Sequence, residues 1–416
     1  MTSIKKNIAY SSILTVANYL FPLITYPYVS RVLGVDNIGV CNFADSVINY
    51  FMLASMLGIT TVGIREVSRS KGNRAILDKT FSRLFTINTI TTTIALILLT
   101  VSILTVPQFK ENQSLMWIGA LKLVSNYLLI EWLYKGLEEF RYITTRTVGI
   151  KCIYVAAVFL FVKSPDDTDV YYLLLTLMIT LNAMVNMVYS RRFISPHFTL
   201  EGCTPLMKSV FILGIYGLLT SMYTTFNVVY LGFSCGDTEV GYYTTSTKIY
   251  RIILALFTAV TGVMMPRLSA LISEGRTDEF IRLLKKSFRI LLLIFIPASI
   301  VIYITAPYII HIIAGPGYEG AITPLRIISP LLLIIGIEQI IIIQGLLPMK
   351  KDRAVLINSA AGAAAGLAAN FILVPNFGAA GAATAWFAAE CTVLISASIF
   401  FSKALKEIKE TRPNTH

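Results

Sequence analysis

The sequence predicts an all-α polytopic membrane protein with about twelve transmembrane helices in two six-helix lobes. The first observation behind this prediction is composition, because 55% of the 416 residues are hydrophobic and only 14% are charged. Soluble globular proteins carry about 25% charged residues. A chain of this length would need enough polar surface to cover two or three soluble domains, and this chain does not have it. A bilayer is the solvent that suits such a composition.

The second observation is a succession of apolar runs, since a membrane-spanning helix needs about 20 mostly apolar residues. Twelve such runs follow one another, at 8–30, 38–61, 84–106, 114–134, 143–163, 170–190, 208–232, 241–265, 288–311, 322–347, 355–374 and 379–402. The first run follows Lys5 and Lys6, as in a signal peptide, but it has no small-residue cleavage site. We therefore expect it to be retained as the first helix.

The third observation is the distribution of lysine and arginine, which mark the cytoplasmic side when they lie in short loops. By the predicted spans, 28 of the 35 basic residues fall at the N-terminus, after even-numbered spans or in the C-terminal tail. The loop after span 4 contributes Lys135, Arg141, Arg146 and Lys151. The other side has only Arg31, Lys110 and Lys163. Both termini are therefore predicted to be cytoplasmic, and the net charge of +12 indicates topology rather than nucleic-acid binding.

The chain also repeats itself at an offset of 202 residues. Gly34 and Gly39 recur as Gly236 and Gly241 with the same spacing. Because six spans separate the copies, the repeats enter the membrane from the same side. We expect an N-terminal lobe at 1–200 with helices 1–6 and a C-terminal lobe at 201–416 with helices 7–12. A substrate site between two such lobes is the layout of an alternating-access transporter.

Charged residues inside the predicted spans are the candidate functional residues. Each costs about 2.5–3.5 kcal/mol at mid-membrane, so a group of them indicates a polar interior. The bases are Lys122, Lys248, Arg251 and Arg326, and the acids are Asp45, Glu131, Glu338 and Glu390. Lys248 and Arg251 share one helix face by their i,i+3 spacing. We expect the bases, with Arg31, to bind an anionic substrate, and the acids to couple an ion or to pair with the bases.

Several classes of protein are disfavoured by what the sequence does not contain. The five cysteines and three histidines form no CxxC pair or mixed cluster, so neither a disulfide framework nor a metal site is expected. The sequence has no GxxxxGK[ST] motif, so no ATP site is expected. No cofactor is predicted.

Six blocks resemble the O-antigen (Wzx-type) polysaccharide flippases of the multidrug/oligosaccharidyl-lipid/polysaccharide (MOP) superfamily. These are YVSRVLGVDNIG at 28–39 with GIRE at 63–66, EWLYKGLEEFRYI at 131–143, the segment from 241 to 251 that ends in KIYR with PRLS at 266–269, and VPNFGAAGAA at 374–383. Together they are distributed over nearly the whole length of the chain.

The resemblance implies a MATE-like fold in a bacterial inner (cytoplasmic) membrane. It also implies a substrate, an undecaprenyl-diphosphate-linked oligosaccharide that is flipped from the cytoplasmic to the periplasmic leaflet for surface polysaccharide synthesis. Partners would be this lipid and the bilayer, with a polysaccharide polymerase and chain-length machinery as candidates. The alternatives are an ion-coupled multidrug or cation antiporter of the same fold and a membrane-embedded polymerase or glycosyltransferase. The enzyme is disfavoured because no long periplasmic loop is available to hold its active site.

Overall fold

The computed structural model describes residues 4–349 and 351–410, and every regular element in those ranges is helical. By contacts the chain divides into two compact units, Met1–Leu218 and Leu219–His416. The first unit contains the helices α1 (Ile4–Met56), α2 (Ile59–Arg69), α3 (Arg74–Thr105), α4 (Pro107–Glu111), α5 (Gln113–Leu128), α6 (Glu131–Gly136), α7 (Phe140–Phe161) and α8 (Thr168–Ser190), and most of α9 (Thr204–Thr224). A 3₁₀ turn, Pro165–Asp167, joins α7 to α8.

The second unit begins near the end of α9. It contains α10 (Phe226–Cys235), α11 (Asp237–Ser273), α12 (Thr277–Ile313), α13 (Ile322–Ile328), α14 (Leu331–Gln339) and α15 (Asp352–Glu410). A π-helical segment, Ile340–Leu346, extends α14. In the first unit α1 packs against α3, α5 and α7, and in the second unit α15 packs against α10, α13 and α14. The two-lobe division at residue 200 stays a prediction.

Two glycines divide the longest helices. Gly34 in α1 has φ 77° and ψ 171°, and Gly378 in α15 has φ 52° and ψ −128°. These backbone angles are accessible almost only to glycine. Each long helix therefore consists of two helical segments, as the predicted spans 1 and 2 and spans 11 and 12 require.

Seven helical stretches in the described residues are long and apolar enough to cross a membrane. They are Ala9–Arg69, Arg74–Thr105, Phe140–Phe161, Pro165–Ser190, Thr277–Ile313, Glu319–Leu346 and Arg353–Glu407. The first and last contain the glycine breaks. This confirms an all-helical protein with many apolar spans, whereas the number twelve and the cytoplasmic termini stay predictions.

Four predicted spans differ from the structure in being interrupted, and the first of them, at 38–61, is interrupted near its end at Leu57, which has a φ of 42°. The span predicted at 114–134 ends as helix at Leu128, and Ile130 adopts a left-handed φ of 38° before α6 begins. The span at 208–232 is broken at Thr225 between α9 and α10. The span at 322–347 is broken at Pro330, since proline has no N–H to donate to the preceding turn, and it then continues into the π-helical segment.

Large apolar side chains cover the outer faces of the long helices. On α3 the exposed residues are Ile90, Ile94, Ile97, Leu98, Val101 and Leu104, and on α12 they include Leu293, Ile300, Val301, Ile304 and Ile312. A soluble protein does not expose contiguous apolar surface of this extent. Lipid can contact these apolar faces directly, because the backbone N–H and C=O groups beneath them are hydrogen-bonded within their own helices.

An extended segment at 194–203, which we call the strap, lies along α3. Backbone N–H groups of alternate strap residues donate to one face of α3, from Ser195 to Asp78 Oδ1 (2.9 Å), from His197 to Ser82 Oγ (3.2 Å) and from Thr199 to Thr86 Oγ1 (3.1 Å). Four helical residues rise about 6 Å, and two extended residues span about 6.6 Å. These two distances are nearly equal, so every second strap residue meets every fourth residue of α3 over three contacts.

Candidate functional site

A buried ion pair connects α1 and α5 within the predicted spans 2 and 4. The Lys122 ammonium donates to Asp45 Oδ1, and the hydroxyl of Tyr172 donates to the same oxygen at 3.2 Å. The Asn49 amide donates to Asp45 Oδ2 at 3.3 Å. The lysine side chain is 10% exposed and the aspartate 32%. Asp45 therefore acts as the charge partner of Lys122, and a substrate-binding role for Lys122 stays a prediction.

The close approach of α5 to α1 depends on Gly119. A Cβ at this position would overlap the side chain of Ile48. Gly119 lies one turn before Lys122, so both are on the same side of α5. The missing side chain brings the two helices close enough for the lysine to reach the carboxylate.

A second charged cluster of the first unit was only partly predicted. Glu131 opens α6, accepts a hydrogen bond from Arg146 (3.0 Å) and forms an ion pair with Lys135 (3.1 Å). Arg146 is 4% exposed and also donates to Asn186 Oδ1 and to Thr147 Oγ1. The positive φ of Ile130 separates α6 from α5 and places the glutamate at the start of a helix. Glu131 is therefore one of the paired acids that the sequence analysis allowed for.

The second unit contains a buried carboxyl pair. The side chains of Glu338 and Glu390 lie within hydrogen-bonding reach of one another, and each residue is 7% exposed. The indole N–H of Trp386 donates to Glu390 Oε1 at 2.8 Å. Glu338 Oε1 has no hydrogen-bond partner among the described residues. Glu338 lies two residues before the π-helical segment, and π-helical turns often mark functional sites.

Two of the remaining predicted bases, Arg251 and Arg326, contact neutral groups. The Arg251 guanidinium lies 6.0 Å from the ring centre of Trp386. That of Arg326 lies 5.6 Å from the ring of Tyr303 and donates to the Tyr303 carbonyl at 3.3 Å. Lys248 is half-buried on α11, and Arg31 is exposed and donates to the Pro27 carbonyl at 2.7 Å. The structure thus brings Arg251 next to the Trp386–Glu390 pair, which sequence spacing did not reveal.

No group of three histidine, cysteine, aspartate or glutamate side chains suited to a metal ion occurs in the parts of the chain that the structure describes. The five cysteines are free thiols.

A family model described as "Polysaccharide biosynthesis protein" matches residues 4–272, which is more than half of the chain. The chain belongs to the polysaccharide biosynthesis protein family. This family membership confirms the resemblance seen in the sequence blocks.

Curated relatives of this polysaccharide biosynthesis protein carry the name "Putative O-antigen transporter". One from Escherichia coli (strain K12) is 27% identical over 400 residues, which are 94% of this chain and 95% of the relative. Another from Shigella dysenteriae is 26% identical over 270 residues, covering 64% and 68% of the two chains. The prediction of a transporter rather than an enzyme agrees with both names.

Solved structures confirm the MATE-like fold. A structure described as lipid II flippase MurJ in an inward closed conformation aligns with a TM-score of 0.80 at 14% identity, covering 97% of this chain and 90% of its own. An inward-facing multidrug resistance MATE transporter of the MOP superfamily aligns with a TM-score of 0.70 at 14% identity, covering 95% and 96%. At such identities the likeness shows the fold alone.

Arg146 and Lys151 of this family member lie within a membrane helix, although the distribution of basic residues placed both in the loop after span 4. In the structure α7 begins at Phe140, so both lie within the helix. Both residues also fall inside the predicted span at 143–163. Their assignment to a loop and to a span at the same time is the signal that would have identified them.

Proposed function

We propose that this polysaccharide biosynthesis protein is a flippase that moves undecaprenyl-diphosphate-linked glycan units from the cytoplasmic to the periplasmic leaflet of the bacterial inner membrane. Transport is by alternating access and serves the synthesis of a surface polysaccharide such as O-antigen. The family match and the curated relatives support the class of substrate. The fold, shared with a lipid II flippase and with MATE transporters, supports the mode of transport.

The proposed diphosphate-binding residues are chosen by whether a base forms an ion pair with an acid. Lys122 is neutralised by Asp45, whereas Arg251 and Arg326 contact only rings and a carbonyl and form no ion pair in the described residues. A guanidinium that is not neutralised binds a phosphate or diphosphate with two parallel hydrogen bonds. Arg251, with Lys248 one turn away on α11, is the proposed diphosphate-binding pair.

The membrane potential supplies part of the driving force. One elementary charge that crosses 100 mV gains about 2.3 kcal/mol. Because the cytoplasm is negative, outward movement of an anionic diphosphate is electrically downhill. This direction agrees with a flippase that exports its substrate.

The deciding experiment uses proteoliposomes that contain a fluorescent undecaprenyl-diphosphate oligosaccharide. Its arrival in the opposite leaflet is followed by lectin accessibility. The double variant Lys248→Gln/Arg251→Gln is expected to slow translocation by about tenfold or more, since each charged hydrogen bond is worth about 1.5–3 kcal/mol. The matched control is Lys110→Gln/Lys163→Gln, which removes two exposed lysines and is expected to keep the wild-type rate.

Equal rates in both double variants would remove Lys248 and Arg251 from the site. No translocation by the wild type with any of several glycans would contradict the flippase itself.

The second candidate function is an ion-coupled antiporter for drugs or cations, and the Glu338–Glu390 pair favours it. Two buried carboxyl groups in contact do not both ionise, so such a pair holds a proton. Gradient-driven efflux of a cationic dye that is lost in Glu338→Gln would support the antiporter. A flippase that uses the pair for coupling would lose its dependence on the gradient in the same variant and would show no dye efflux.

A further inference from the structure

Lys151 lies in the middle of a membrane helix. It is the twelfth of the 22 residues of α7 (Phe140–Phe161), which places it about 16 Å from one end and about 15 Å from the other. The hydrocarbon core of a bilayer is about 30 Å thick. A lysine side chain is much shorter than half of that thickness, so Lys151 does not reach the headgroup region by snorkelling.

The direct partners of Lys151 are neutral. Its ammonium donates to Asn18 Oδ1 on α1 at 2.6 Å and lies 5.8 Å from the ring centre of Phe21. No carboxylate lies within ion-pair distance of it among the residues that the structure describes. By contrast, Lys122 has the Asp45 carboxylate and Arg146 has that of Glu131.

The surroundings of Lys151 carry a surplus of positive charge. Glu131 is near enough to act on the charge of Lys151, but it already forms ion pairs with Arg146 and Lys135. Arg146 and Lys151 of α7 thus share one acid with the partly exposed Lys135, which leaves a surplus of positive charge beside a membrane helix, where unpaired charge is costly. An anion such as a diphosphate balances this surplus.

The site is open to the surface along α1. Asn18 is exposed, and Thr15 and Ser11 precede it on the same face of the helix at i−3 and i−7. Lys151 itself is half-buried. A headgroup that moves along this polar face of α1 therefore reaches the ammonium without crossing the packed interior of the first unit.

We propose that Lys151 and Asn18 form a binding subsite for the diphosphate of the lipid-linked substrate, which rests on the proposed flippase function. The ammonium serves as a point charge for phosphate oxygens, and the Asn18 amide supplies a neutral donor beside it. A phospholipid of the bilayer offers the same phosphate chemistry, so the test separates the two sources.

The experiment measures binding of undecaprenyl diphosphate to the purified full chain in phosphatidylcholine nanodiscs, with phosphatidylglycerol as the comparison ligand. Lys151→Gln is expected to weaken undecaprenyl diphosphate binding about tenfold, the factor expected from one charged hydrogen bond. Lys151→Arg retains the charge and is expected to restore most of the affinity. The control Lys163→Gln changes an exposed lysine just beyond the end of α7 and is expected to leave the affinity unchanged.

A second variant keeps the lysine in place. Asn18→Asp sets a carboxylate against Lys151, as Asp45 is set against Lys122, and is expected to weaken binding by a similar factor even if Lys151→Gln does not fold. Unchanged affinity in Asn18→Asp, or in a folded Lys151→Gln, overturns the subsite. The subsite is also overturned if these variants lose binding of phosphatidylglycerol but keep their affinity for undecaprenyl diphosphate. If the wild type neither binds undecaprenyl diphosphate nor translocates its glycosylated form, the flippase proposal itself fails.

Discussion

At the scale of single residues, the pair of Lys122 and Asp45 illustrates how charge is accommodated in the first unit. The lysine is almost fully buried, whereas the aspartate is about a third exposed. Removal of one partner from a buried pair leaves the other charge uncompensated, and this is more costly than removal of both. The two partners are therefore expected to respond unequally to substitution.

We predict that Asp45→Asn lowers the free energy of unfolding by about 3–5 kcal/mol, because it leaves the buried ammonium without a carboxylate. Lys122→Met is expected to cost less, since the remaining carboxylate is partly exposed. The double variant is expected to be close to the wild type. Unfolding in detergent, measured for all four proteins as a double-mutant cycle, checks this. A double variant as unstable as Asp45→Asn would mean that the ion pair is not the source of the loss.

At the scale of secondary-structure elements, the strap at 194–203 is held by polar contacts to α3 between its two ends, where Ile194 and Cys203 are buried in the apolar core of the first unit. Besides its three backbone N–H bonds to α3 and the bond from Arg83 to the Glu201 carbonyl (2.9 Å), the strap contains Cys203, whose thiol lies 3.3 Å from the Thr199 carbonyl oxygen and is buried. Burial raises the pKa of the Cys203 thiol, so less of the reactive thiolate is present at neutral pH. The reactivity of Cys203 therefore reports whether the strap is docked.

We predict that Ser82→Ala speeds maleimide labelling of Cys203 about fivefold, in a chain whose other four cysteines are replaced by serine. The substitution removes the acceptor of the His197 N–H and also the contact of the same hydroxyl with His197 Nδ1 at 3.1 Å, and one such hydrogen bond is worth about 1 kcal/mol. Ser102→Ala, on the same helix but bonded only to the Leu98 carbonyl, is the control and should label at the parent rate. Equal labelling in both variants would show that the backbone hydrogen bonds to α3 do not hold the strap.

At the scale of the whole molecule, the two units share a local backbone feature, a glycine with positive φ, at positions 202 residues apart. Gly34 has φ 77° and Gly236 has φ 86°, both with ψ near 180°. Three residues further on, the Asn37 amide donates to the Pro165 carbonyl at 3.0 Å, and Glu239 accepts from the backbone N–H of Ala379 at 2.6 Å. In each unit, the side chain three residues after the glycine therefore binds the backbone where two other helical segments join. Related repeats are expected to share such a contact.

We predict that Gly34→Ala and Gly236→Ala each lower the free energy of unfolding by on the order of 1–3 kcal/mol. No atom lies within 4 Å of a Cβ at either position, so the cost arises from the backbone conformation alone. Gly149→Ala is the control, because Gly149 is helical and has equally open surroundings. There alanine is expected to be neutral or stabilising. A loss at one glycine but not at the other would argue against equivalent repeats.

The sequence by itself determined the class of the protein and much of its inventory of charges. Apolar runs of about 20 residues identify membrane helices because the bilayer requires that length wherever the helix packs. The offset between Gly34 and Gly236 was also visible, because the need for glycine at a break is local. Family membership followed from sequence blocks in the same way. Interruptions such as that at Ile130 were not visible, since nothing in an apolar run marks the left-handed residue.

Only the tertiary structure decided which charges are neutralised. Lys122 and Asp45 lie 77 residues apart in sequence, and Lys151 contacts Asn18 across 133 residues. The energy of a charge in a membrane depends on the distance to its partner and on burial. Neither quantity is encoded in spacing along the chain, so a paired lysine and an unpaired one look alike in the sequence. They become different only when the packed helices bring a carboxylate to one and an amide to the other.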